Sequence, residues 1–144
     1  MEELDNLLQV IGNPAYFFDM ETHRILAVNR GFADVMEYSQ DELLEMTVAD
    51  LRPKGDLAKL TKALAQSPPE GTVEWRYTTR TGKVLYMRLS YRNSLYIDKL
   101  HGRRHDVRLV VISSWDTQPL QSADDLFGDI AGGPQGDSGL GNDL

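Results

Sequence analysis

The chain has 144 residues, 41% hydrophobic and 26% charged, enough for one domain with a real core and too apolar to be disordered throughout. It has no cysteine, which excludes disulfide frameworks, thiolate zinc sites, iron–sulfur clusters and thiol nucleophiles, and fits a reducing compartment. The formal charge is −7, but five aspartates beyond Gln118, with no Lys or Arg among them, leave the remainder at −2; neither nucleic acid nor an anionic membrane is an expected partner. The first five residues are acidic where a signal peptide is basic, and no apolar run approaches the ~20 residues of a membrane span, so the expected location is cytoplasmic.

Leu4, Leu7, Leu8 and Ile11 fall on one helical face, so residues 1–12 read as a short amphipathic helix stopped by Gly12-Asn13-Pro14. Residues 15–18 and 24–28 read as two strands around a turn at 19–23. Asn29 is placed to cap a helix reaching Glu37, with Phe32, Val35 and Met36 on one side. Ser39 and Glu42 have the spacing of a capping box for a second helix. Residues 47–51 offer a further turn, broken at Arg52-Pro53. Asp56 is expected to cap a longer helix whose Leu57, Leu60, Ala63 and Leu64 share a face up to Ser67-Pro68-Pro69.

From Thr72 the period becomes two. Three antiparallel strands are expected at 72–79, 84–97 and 107–115, joined by the turn Arg80-Thr81-Gly82-Lys83 and a basic loop over 98–106. The basic cluster at 99–105 interleaves no aromatic side chain and reads as a solvated loop rather than a phosphate patch. Residues 13–117 therefore form the domain. Residues 118–144, with six glycines after Phe127, read as an acidic disordered tail. Within it Leu126, Phe127 and Ile130 have the spacing of a peptide that folds on a partner, beside the plainer reading of a featureless terminus.

Two strands, several short helices and three long strands make an α+β layout. Asn13-Pro14 before the first strand, Asn29-x-x-Phe32 after the second, Tyr38-Ser39-x-x-Glu42-Leu43, Asp50-Leu51-x-Pro53 and Thr81-Gly82-Lys83 together resemble the ordered landmarks of the PAS family, over residues 4–117. The resemblance implies a five-stranded antiparallel sheet of order 2-1-5-4-3, short helices over one face, and a cavity between the two. It implies signal sensing, dimerisation or protein–protein contact, without catalysis. Asp116-Thr117 resembles the signature that closes signalling members, with its middle residue absent.

No nucleophile turn, phosphate-cradling glycine loop or spaced set of metal ligands is present, so no enzymatic activity is expected. Asp19 with Glu21, and Asp41 with Glu42 and Glu45, sit at a turn and a helix start, where solvated acids normally lie. Haem needs an axial ligand, and His23, His101 and His105 all fall in turns or loops. The resemblance would supply that histidine from the long middle helix, and residues 56–66 contain none; Met46 and Met87 are the other candidates. The photosensory flavin subfamily needs a cysteine. The amide side chains it implies around the flavin would fall near Arg76, Met87 and Ser114, none of which is an amide. The cofactor is left unassigned.

If Ser114 faces inward, Val110 and Ile112 do too, with Met87, Leu89 and Tyr91 of the neighbouring strand. Phe18, Ile25, Met36, Leu51 and Leu60 are available to close a ligand pocket; the alternative is a filled core without ligand. On this register Arg76 points inward and needs a protein carboxylate or an acidic ligand. A slip of one residue turns it outward and buries Trp75 and Tyr77; both registers stay open at this stage. Leu109, Val111 and Trp115 make the last strand apolar on its other face, which needs a cover. The helix of Leu4, Leu7, Leu8 and Ile11 is that cover, from its own chain or a symmetry mate. A homodimer on these residues and Trp75 is expected, with a signalling partner protein as the alternative.

Overall fold

The structure is a computed structural model and describes residues 2–120; the acidic segment from Gln121 onward, with its Leu126 and Phe127, lies outside the described residues. In chain order come α1 (Glu2–Gln9), β1 (Ala15–Asp19), β2 (Ile25–Val28), α2 (Arg30–Met36), α3 (Gln40–Leu43), two 3₁₀ turns (Val48–Leu51 and Lys54–Asp56), α4 (Leu57–Gln66), β3 (Glu70–Thr78), β4 (Val84–Asp98) and β5 (Arg103–Asp116). The strands form one antiparallel sheet of order β2-β1-β5-β4-β3, the order that the resemblance implies.

Asn29 ties the first half together. Its side-chain oxygen accepts from the amides of Phe32 and Ala15, both at 3.0 Å, which caps α2 and pins the start of β1 at once. Its Nδ2 donates to the carbonyls of Asn13 at 2.8 Å and Ile11 at 3.3 Å, fixing the exit from α1. The Ser39–Glu42 capping box forms in both directions, at 3.0 and 2.9 Å, and starts α3 as its spacing indicates.

Each face of the sheet carries its own apolar cluster. On the inner face Tyr16, Phe18, Met87, Leu89 and Ile112 pack against Phe32, Met36, Leu51 and Leu60. On the outer face Leu4 and Leu8 of α1 pack on Ala15, Phe17, Ala27 and Val107. The cover expected over the second face thus comes from the same chain, while Leu7 points away and is 54% exposed.

The register of β3 resolves to the slipped alternative. Val73, Trp75 and Tyr77 are buried opposite Leu89, Met87 and Leu85, so Glu74 and Arg76 face outward. Burying large apolar side chains is worth about 1.5–3 kcal/mol each, whereas desolvating unpaired charges costs more. A second departure lies in β5. Ile112 pairs with Leu89 and Ser114 with Arg88, leaving Ser113 as an extra residue at a bulge. Beyond it Ser114 shares the outer face with Arg88, and Trp115 stands opposite Met87; strict alternation cannot run through a bulge.

Three local expectations are corrected. The basic loop shrinks to residues 99–102, because β5 begins at Arg103 and continues the β4 ladder once Gly102 turns the chain at φ 66°. Asp56 does not cap α4 with its side chain, which Arg76 engages instead. Leu57 is exposed, and Leu60 and Ala63 carry the buried face of α4.

Replacing Asn29 by Ala strands the buried amides of Phe32 and Ala15 and removes both donations. A loss of about 2–4 kcal/mol is expected in urea unfolding. Asn29→Asp, which keeps the acceptor and loses the donors, should fall between the two. An unchanged midpoint for Asn29→Ala would contradict the tie described here.

Candidate ligand cavity

A cavity of about 30 Å³ lies between the inner face of the sheet and the helices. Its sheet side is built by Tyr16 and Phe18 of β1, Trp75 and Tyr77 of β3, Leu89 and Tyr91 of β4, and Arg108 and Val110 of β5. Val48, Arg52, Leu60, Ala63 and Leu64 close the other side. The volume accommodates one or two waters, well below the several hundred Å³ of a drug-sized pocket. Any organic ligand is small or enters by displacing side chains.

Its polar groups converge. The hydroxyls of Tyr16 and Tyr77 are hydrogen-bonded at 2.8 Å, and Nη2 of Arg52 donates to Tyr77 Oη at 3.0 Å. The Arg52 guanidinium lies 4.0 Å from the Tyr77 ring centre and 4.8 Å from that of Trp75, a cation held over two aromatic faces. Its Nε and Nη1 are buried with no hydrogen-bond partner among the described residues. Burial pushes the Tyr77 phenol well above its ordinary pKa, against the opposing charge of Arg52 and with reinforcement from Tyr16. Tyr77 is therefore a neutral hydroxyl.

Arg108 approaches from β5. It is 4% exposed and lies 4.1 Å from the Tyr91 ring centre. Nε donates to Asn93 Oδ1 at 2.6 Å and Nη2 to Ser67 Oγ at 2.8 Å. Burial lowers its pKa, with Tyr91 and Tyr16 acting in the opposite direction. Among the described residues no carboxylate lies within 4.0 Å of either Arg52 or Arg108.

The residues expected at a pocket divide into three groups. Phe18, Leu60, Leu89, Tyr91 and Val110 line the cavity. Ile25, Met36, Leu51, Met87 and Ile112 belong to the packed core beside it. Arg76 and Ser114 lie on the outer side of the sheet, for the reasons of register and bulge given above. Arg76 grips Asp56 through both Nε and Nη2. Those bonds hold the Asp56 carboxyl below its usual pKa, against the effect of burial.

The residues expected at an interface also divide. Trp75 belongs to the inner core. Leu4 and Leu8 are buried under their own sheet, and Ile11, Leu109 and Val111 are half-buried in the same cluster. Leu7 and Trp115 remain exposed, the latter at 43%.

Arg52 and Arg108 are the functional candidates that sequence reasoning missed. For Arg108 the signal existed, since the alternation that turns Val110 inward turns Arg108 inward as well. Arg52 follows a 3₁₀ turn and precedes a proline, a pattern that carries no sign of burial.

The cavity does not fit haem, because neither an imidazole nor Met46 or Met87 lines it. His105 contacts Asp19 at 3.2 Å, His101 contacts Asp98 at 2.9 Å, and His23 sits in a turn at φ 64°. Nor do the residues fit the flavin arrangement considered above, with Arg76 and Ser114 turned away. No group of three or more His, Cys, Asp or Glu among the described residues could hold a metal ion. No helix among them is long and apolar enough to cross a membrane.

The model of the PAS fold matches residues 2–102: the chain belongs to the PAS family. No curated protein sequence matches it. Among solved structures, a PAS domain from a two-component sensor histidine kinase aligns at 18% identity and TM-score 0.59, covering 78% of this chain and 93% of that one. The PAS domain of an HTR-like protein from Haloarcula marismortui aligns at 17% and 0.60, covering 78% and 88%. A light-oxygen-voltage domain studied with a flavin analogue aligns at 18% and 0.57, covering 90% and 93%. The family is typical of signal-sensing modules.

Tyr77→Phe removes the hydrogen-bond acceptor of Arg52 and the partner of the Tyr16 hydroxyl. A loss of about 1–3 kcal/mol is expected in denaturant unfolding, with the fold retained by circular dichroism. No loss would mean that the Arg52–Tyr77–Tyr16 chain holds nothing in place.

Proposed function

We propose that this domain is a non-catalytic, cytoplasmic sensor or regulatory module that binds a small molecule in the inner cavity and passes the change to α1 and a protein partner. One observation carries the reading: the cavity and the α1 contact share the same two strands, back to back. Tyr16 and Phe18 line the cavity while Phe17 between them lies under α1. On β5, Val110 lines the cavity while Leu109 and Val111 belong to the cluster beneath α1.

A side chain displaced on one face therefore shifts the backbone on which α1 rests. The response leaves through Leu7 on α1 and Val10 just past its end, 54% and 83% exposed, where a second copy or a signalling partner would dock. A bound molecule needs differential affinity for two arrangements of α1 to act this way. The competing reading, an interaction module with a filled core, predicts no such binding.

A fragment screen by thermal shift, followed by hydrogen exchange on α1, tests the proposal. Fragments should raise the melting temperature of the wild type, alter exchange in α1, and lose both effects in Ala63→Leu, which fills the cavity from α4. Sedimentation velocity on the same samples reads the assembly state. Fragments that bind equally to Ala63→Leu, or a screen with none that responds to that change, would overturn it.

A further inference from the structure

We infer that the molecule accepted by the cavity is a small anion, a carboxylate on a short apolar tail, and that Arg52 is the residue that receives it. The inference rests on the reading of the cavity as a ligand site. Two guanidinium groups face this one cavity, and arginine stays charged when buried. Among the described residues the half-buried Arg76 has a carboxylate partner in Asp56, and Arg88 has the charge of Glu74 at 3.6 Å, although its Nε and Nη2 make no hydrogen bond. Among the described residues Arg52 and Arg108 have only neutral hydrogen-bond partners, namely the Tyr77 hydroxyl, Asn93 and Ser67.

Arg52 is further from satisfaction. It is 9% exposed, and Nε and Nη1, which together carry three N–H groups, have no acceptor. Asp56 is near enough to sense the charge of Arg52, but Arg76 occupies its carboxylate. Such a cation is costly in the ligand-empty protein. A carboxylate supplies the missing acceptors and the missing charge in one group.

The rest of the lining selects the tail. Phe18, Leu60, Ala63, Leu89 and Val110 offer hydrocarbon, and the tyrosines present neutral hydroxyls. Inorganic phosphate has no apolar part to place there. At about 30 Å³ the cavity holds one or two waters, so even a short-tailed carboxylate enters only as lining side chains move aside.

The test uses the full chain with sodium propionate, against propionamide, inorganic phosphate and sodium chloride at matched ionic strength, read by melting temperature and by the Arg Nε–Hε resonances in NMR. Propionate should raise the melting temperature above the chloride control and shift the Arg52 resonance, and propionamide should not. Arg52→Gln should bind propionate at least tenfold more weakly, and its ligand-empty form should melt no lower than the wild type, because an unmatched charge has been removed. Arg52→Lys, which keeps the charge and loses the planar donors, should also bind more weakly, and Arg108→Gln should reduce affinity with Arg52 intact.

Binding of propionamide as well as propionate, with no effect of Arg52→Gln, would overturn the anion and leave the cavity as a site for neutral ligands. Binding of phosphate without propionate would overturn the carboxylate. No response to any probe, with Arg52→Gln melting several degrees lower, would make Arg52 a structural cation. The separate fragment screen would then decide whether the cavity binds anything.

Discussion

β1 and β5 are apolar on both faces, and a sheet built on such strands is stable only while something lies against each side. Along β1, Tyr16 and Phe18 point one way and Phe17 and Ala15 the other, all of them buried. α1 must therefore fold back over the outer face, and α2 to α4 must arch over the inner one. Asn29 sits where these paths meet and hydrogen-bonds to α1's exit, β1 and α2 together. The two layers are thus joined by one side chain and share one pair of strands.

That shared pair of strands places the inner cavity and the α1 contact on one backbone. Tyr16 and Val110 on the inner face alternate with Phe17, Leu109 and Val111 on the other. The inner face is also where the chain departs from an ordinary core. Most of the cluster is hydrocarbon and aromatic ring, yet two guanidinium groups enter it with only neutral partners among the described residues. Stability alone would favour apolar residues of similar volume at these positions. Their presence is explained if the cavity is completed by something that the described residues do not provide.

Much of the fold was legible because the local signals were chemical. Asn29 and Ser39 cap the helices that their spacing announces, and Gly82, at φ 91°, sits in the turn between β3 and β4. The strand order came from the family resemblance, not from periodicity. What was read less well was which way alternating residues face. In β3 the alternation of Val73, Trp75 and Tyr77 with Glu74, Arg76 and Thr78 favours the register that the structure shows, so an inward Arg76 ran against the hydrophobic pattern. In β5 an extra residue at Ser113 reverses the faces without any glycine or proline to mark it. Arg52 was hidden for another reason, since its burial is created by β3 and α4, distant in sequence.

The most direct test of the account uses the two tryptophans of the chain. Trp115→Phe leaves Trp75 as the sole reporter, buried in the cavity wall beneath Arg52. Titration of that variant with propionate should change Trp75 emission saturably, and propionamide should leave it unaltered. Emission that stays constant with both, in a chain that folds normally, would mean that nothing enters beside Arg52, contradicting the claim that the cavity is a binding site.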